Sequence, residues 1–153
     1  LTGPLWGYRR RARLSVRYVH KKERVLVGFR ERYGAFVADM QSCAVLKPGI
    51  AAQLENLAAM ILKMDAKRTI PQIEVACGDE QDALVFRHLE PLSEQDLETL
   101  RRNWSVLHPR EPFPGTIILQ ADQQVDFRVV KKVMFSASAA GYGNVSFAVN
   151  QSE

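Results

Sequence analysis

Cysteine and histidine are scarce in this chain: 153 residues hold two of the first and three of the second. Two thiols are too few for a disulfide framework, so a reducing compartment, the cytoplasm, is the expectation. Neither Cys43 nor Cys77 has a neighbouring Cys or His at a ligand spacing, so spacing points to no metal site. His20, His88 and His108 are scattered, and Ser136 and Ser138 fall inside a helical pattern instead of on a nucleophile elbow. Gly141-Tyr142-Gly143 lacks the third glycine and the following helix that a phosphate-cradling loop requires. The enzyme reading is therefore weak, and no cofactor is expected. No apolar run approaches the roughly 18–20 residues that cross a bilayer. Leu1–Trp6 lacks the order of a signal peptide, with its arginines after the apolar residues, so no membrane partner is expected. What remains is an ordinary globular composition, 46% apolar and 25% charged, long enough for a normal core.

Charge is present but unevenly spread. Residues 1–33 carry ten Lys or Arg against Glu23 and Glu31, a net of +8, and the remaining residues carry a net of −4. One end of the molecule thus suits an anionic partner, with a merely solvated basic hairpin as the alternative. Within that end the pattern alternates. Ala12, Leu14, Val16 and Tyr18 share one face of a strand over Arg9–Val19, and Arg9, Arg11, Arg13, Ser15 and Arg17 share the other. His20–Arg24 reads as a turn, Val25–Arg32 as a second strand and Ala35–Met40 as a third.

Pro48 opens a helix in which Ile50, Leu54, Leu57, Ile61 and Met64 form one apolar stripe. Strands are expected at Ile70–Cys77 and Ala83–Leu89, joined by an acidic turn over Gly78–Asp82. Cys77 is then a small core residue. Ser93 with Asp96 signals the start of a helix reaching Arg102. The proline-punctuated stretch Asn103–Gly115 reads as a connector. A compact pattern follows: strand Thr116–Ala121, helix Phe127–Ala140 burying Val129, Val130, Val133 and Ala137, a left-handed cap at Gly141, and strand Val145–Val149. Short links of this kind place the two strands parallel. The expected fold is α+β, with antiparallel N-terminal strands and packed helices completed by a C-terminal β-α-β unit in a mixed sheet. The segments are 1–102, a connector 103–115, and 116–153.

Residues two apart on a strand are about 6.6–6.8 Å apart, close to the spacing of phosphates along one nucleic-acid strand. Arg9, Arg11, Arg13 and Arg17 therefore form a row suited to RNA, since guanidinium groups grip phosphate and stack on bases. Arg10, Lys21, Lys22, Arg30 and Arg32 extend the candidate surface. Trp6, Tyr8 and Tyr33 are candidates for base stacking, and the alternative that Trp6 and Tyr8 close the end of the core stays open.

Four separated pieces keep the order and spacing of a known family: Trp6-Gly7-Tyr8-Arg9-Arg10-Arg11-Ala12-Arg13-Leu14-Ser15, Val27-Gly28-Phe29-Arg30, Val37-Ala38-Asp39-Met40-Gln41-Ser42-Cys43-Ala44-Val45-Leu46, and Arg87-His88-Leu89-Glu90-Pro91-Leu92-Ser93. Over residues 4–102 the chain resembles the bacterial 23S rRNA uracil-5-methyltransferases with an iron–sulfur cluster. The resemblance implies a central region that helps hold rRNA, between an OB-like domain and a Rossmann-type catalytic domain. It matches Cys43 to the last of four cluster cysteines, the other three belonging ahead of Leu1; one thiolate does not hold such a cluster. The S-adenosylmethionine site and catalytic cysteine have no counterpart in these residues, which implies a non-catalytic fragment.

A second likeness covers residues 113–150. Ile117-Ile118-Leu119-Gln120-Ala121-Asp122, Phe127-Arg128-Val129-Val130-Lys131-Lys132-Val133-Met134 and Ala140-Gly141-Tyr142 resemble the end of the periplasmic domain of ExbD/TolR-type biopolymer transport proteins. Together the two likenesses imply a chimera joined between about Leu89 and Pro112. Two further readings stay open, a recombined fold with no selected activity and a protein-interaction domain. An unpaired sheet edge also invites a homodimer.

Overall fold

A computed structural model describes residues 3–79, 82–107, 116–121 and 126–149, with 105–107, 116–121 and 144–149 described by their backbone alone. The chain divides into two compact units, Leu1–Glu90 and Pro91–Glu153.

In the first unit the alternating stretch forms β1 (Arg11–Val19). It pairs antiparallel on one side with β2 (Arg24–Gly28), Ser15 opposite Gly28. On the other side it pairs with β3 (Gln72–Cys77), Arg13 opposite Glu74. β4 (Asp82–Arg87) completes a sheet of order β2-β1-β3-β4. Ala12, Leu14 and Val16 of β1, Val25 and Val27 of β2, and Ile73, Val75 and Cys77 of β3 are buried on one face. They are joined in the core by Ile50, Leu54, Leu57, Ile61 and Met64 of the helical stripe. Each fully buried aliphatic side chain contributes about 1.5–3 kcal/mol relative to exposure.

That stripe is not one helix. It is α1 (Pro48–Ala51) followed by α2 (Leu54–Leu62), with Asp65–Arg68 in a short 3-10 turn. At Ala52 and Gln53 the backbone relaxes to ψ of −12° and −1°, and Gln53 N–H donates to Ile50 O three residues back. The ladder is interrupted while the apolar side stays continuous, because periodicity records burial and not hydrogen-bond spacing.

The second strand ends at Gly28, four residues earlier than expected, and the third strand is reduced to one bridge, Arg30 to Val37. A tight arm replaces them. Glu31 N–H donates to Phe36 O and Ala38 N–H to Phe29 O, around Tyr33 at φ +66°. Gly28 is required here: a Cβ on it would lie 2.8 Å from Ala38 O. The turn between β3 and β4 lies partly, at 80–81, outside the described residues.

The second unit begins with α3 (Glu94–Leu107), opened by a reciprocal cap in which Asp96 N–H donates to Ser93 Oγ and Ser93 N–H to Asp96 Oδ2, both at 3.1 Å. The helix runs five residues past Arg102 into the expected connector, since no proline or glycine intervenes before Pro109. The rest of the connector, 108–115, lies outside the described residues. β5 (Thr116–Ala121) and β6 (Asn144–Val149) pair in parallel, Thr116 opposite Asn144 through Ala121 opposite Val149. Between them runs α4 (Phe127–Ala139). Gly141, at φ +87°, terminates it, with Tyr142 N–H reaching back to Ala137 O at 3.0 Å. Val133 and Ala137 are buried and Val130 is half-buried, but Val129 is exposed, a correction to the expected face. Asp122, part of the second likeness, lies outside the described residues.

The α+β class is thus as expected. The first unit holds an antiparallel four-stranded sheet, and the second holds a parallel pair joined through α4.

Candidate nucleic-acid interface

Alternation in β1 leaves Arg11, Arg13 and Arg17 exposed on the sheet face opposite the core. Arg9 does not continue the strand. Its N–H donates to Val45 O at 2.8 Å and its carbonyl accepts from Lys47 N–H at 3.3 Å, so its backbone is held by the 45–47 segment. The expected row of four is therefore three strand residues with Arg9 beside them. Its Nε donates to Arg11 O at 3.1 Å, and its guanidinium lies 5.0 Å from the centre of the Phe29 ring. Arg10 turns elsewhere and pairs with Asp79.

The partner strands bring residues to this face that sequence reasoning missed. Pairing places Glu74 beside Arg13 and Gln72 beside Ser15, with Val85 and Arg87 one strand further and Arg24 opposite Val19. Their own period-two spacing was readable; which strands flank β1, and in what register, was not. Glu74 is the acidic centre. It accepts from Arg87 Nε and Nη2 at 3.1 and 3.0 Å and from Gln72 Nε2 at 3.1 Å, while Arg13 Nε lies 3.9 Å away. Arg24 pairs with Asp39 at 2.8 Å. Arg11 and Arg17 take part in no ion pair among the described residues. A shallow depression of about 570 Å³ lies on this face, lined by Arg9, Arg11, Arg13, Phe29, Glu74 and Val85 among others.

The other candidates lie on adjoining segments of the first unit. Lys21 and Lys22 are exposed in the turn after β1. Arg30 and Arg32 are exposed on the arm after β2, Arg32 lying 5.0 Å from the Tyr33 ring centre. Trp6, Tyr8 and Tyr33 are 67%, 57% and 93% exposed, so none of these rings closes the core. Cys43 and Cys77 are both buried. Burial, and then the nearby Asp82 carboxylate, push the Cys77 thiol up from its ordinary pKa. Among the described residues no three potential metal ligands gather. Cys43 alone does not fit a four-thiolate cluster, and no chemistry is derived through one. His20 packs edge-on against Tyr18, and His88 Nδ1 lies 2.8 Å from Glu90 O. His108 lies outside the described residues.

Chemically, the first unit is an α+β domain with exposed guanidinium groups and exposed aromatic rings on its surface. Among the described residues, no helix is long and apolar enough to cross a membrane. No protein-family model matches the chain. Individual relatives do. The chain is 60% identical over 101 residues to the protein named 23S rRNA (uracil(1939)-C(5))-methyltransferase RlmD from Paracidovorax citrulli. It is 55% identical over 109 residues to the RlmD of a Polaromonas species, and 57% identical over 101 residues to that of Bordetella pertussis. These matches cover 66–71% of this chain but only 21–22% of the relatives. The chain therefore spans about a fifth of the length of the curated relatives it matches.

Proposed function

We propose that this chain supplies an RNA-holding surface of a 23S rRNA uracil-5-methyltransferase, contributing grip and no bond-making chemistry. The exposure of Arg11, Arg13 and Arg17 along one strand, clear of the core, carries this reading. The names and identity of the relatives support the kind of RNA. Methyl transfer belongs, in this reading, to the four-fifths of those relatives that these residues do not span, and an rRNA partner implies the cytoplasm. Phosphate contacts release counterions, so affinity for an rRNA fragment should fall steeply with salt, by about 0.7 in logarithmic slope per contact on a single strand. Changing Arg9, Arg11, Arg13 and Arg17 together to Ala should flatten that slope by about 3. Unchanged affinity in the quadruple variant removes the reading.

A separate reading concerns residues 116–153 as a grafted piece of biopolymer-transport type. It is supported by the in-register parallel pairing of β5 with β6 and by the division of the chain after Glu90. Sequencing the native locus, with a native peptide spanning 89–112 identified by mass spectrometry, tests it; two separate genes would end it. A second copy of the chain would add at the edge strand β4, where Leu84 and Val85 are 37% and 43% exposed. Light scattering that finds only monomer across a concentration series refutes that partner.

A further inference from the structure

At the end of β1, Tyr18 meets a second group of cations. Tyr18 belongs by alternation to the face of Leu14 and Val16, the helix side. Over its ring lie Lys67 Nζ at 5.8 Å and Arg68 Cζ at 5.3 Å from the centroid, both from the 3-10 turn that follows α2. The His20 ring packs edge-on against the same tyrosine at 4.9 Å. Arg17 sits on the opposite face, and Lys21 and Lys22 cap the tip between the two.

None of Arg17, Lys21, Lys22, Lys67 and Arg68 takes part in an ion pair among the described residues. The segments His20–Glu23 and Asp65–Arg68 also hold Glu23 and Asp65, so with Arg17 the group has a formal surplus of three positive charges. Two cations drawn to one ring repel each other, and a bound anion would relieve that repulsion.

We propose that this cluster is a second phosphate-contacting site, which takes the RNA backbone as it leaves the open face and passes round the tip of the β1–β2 hairpin to the helix side. The inference rests on the RNA-holding reading of the open face. Charge continuity carries it: Arg13, Arg17, the two tip lysines, then Lys67 and Arg68 succeed one another across both faces. A membrane or other flat anionic surface meets one side of a sheet edge, whereas a flexible phosphodiester chain reaches both. Arg11 to Arg17 spans about 20 Å, room for roughly three or four nucleotides, so only a longer RNA extends to Tyr18.

The test compares single-stranded RNAs of about 6 and about 16 nucleotides on the full chain. The double variant K67A/R68A should bind the longer RNA about tenfold more weakly, with the salt slope flattened by about 1.4, two contacts' worth. It should bind the shorter one within about twofold of the unmodified chain. The charge-keeping K67R/R68K should bind the longer RNA as the unmodified chain does. Unchanged binding of the longer RNA by K67A/R68A, or equal weakening at both lengths, overturns the proposal. So does loss of attachment to phosphatidylserine vesicles with RNA binding intact. If the Arg9, Arg11, Arg13 and Arg17 variant binds both RNAs normally, the open-face reading itself fails and this proposal with it. A silent K67A/R68A beside a weakened row variant sinks only this one.

Discussion

Replacing Glu74 with Gln should strengthen RNA binding, although it alters a residue on the proposed binding face. Glu74 is the carboxylate among the guanidinium groups there, 3.9 Å from Arg13 Nε and bonded to Arg87 at 3.0–3.1 Å. Removing its charge leaves the incoming phosphates with one repulsion fewer and releases Arg13. A unit charge about 4 Å away is worth about 1 kcal/mol in water-like surroundings, so affinity should rise about three- to fivefold at low salt. The gain should fade toward 1 M salt, where the screening length is about 3 Å. Stability should fall by less than about 1 kcal/mol, because the glutamine oxygen still accepts from Arg87 and Gln72. Fluorescence anisotropy of an rRNA fragment across a salt series, beside thermal unfolding, reads both effects. Unchanged affinity at low salt with the fold intact would place the RNA elsewhere. Weaker binding would mean that the carboxylate touches RNA instead of repelling it.

Leu14→Ala empties a fully buried site at the centre of the sheet and should cost about 2–5 kcal/mol in urea unfolding, with the denaturant slope unchanged. Gly28→Ala brings a methyl group to 2.8 Å from Ala38 O and 3.2 Å from Met40 S, and about 1–3 kcal/mol of destabilisation is expected. No loss there would show that the arm after β2 gives way. Tyr142 is buried, its hydroxyl donating to Leu97 O at 3.1 Å, and burial pushes its pKa up to about 12. An unfolded tyrosine ionises near pH 10, so its share of stability is intact below about pH 10 and lost as pH rises toward 12. Tyr142→Phe should lower stability by about 1 kcal/mol at neutral pH and remove that alkaline slope; an identical slope in both proteins would refute the assignment.

Much of the local structure was legible because it follows from near neighbours. Period two in β1 put Leu14 inside and Arg13 outside, the Ser93–Asp96 pair opened α3, and Gly141 closed α4. Each depends on spacings of a few residues, where steric and hydrogen-bonding rules act directly. Other features depend on partners distant in sequence, and only the tertiary structure decided them. Arg9 leaves the strand because residues 45–47 bind its backbone. The third strand shrinks to a bridge because its arm folds back over Gly28. Glu74 and Arg87 join the open face only through the pairing of β3 with β1 and β4. The cations around Tyr18 meet only because the 3-10 turn after α2 returns to the end of β1. The amino-acid order determined which side chains were charged, which were apolar and how each strand or helix would present them. The packing of one element on another determined which charges share a surface, because strand register and crossing segments are set by contacts dozens of residues apart.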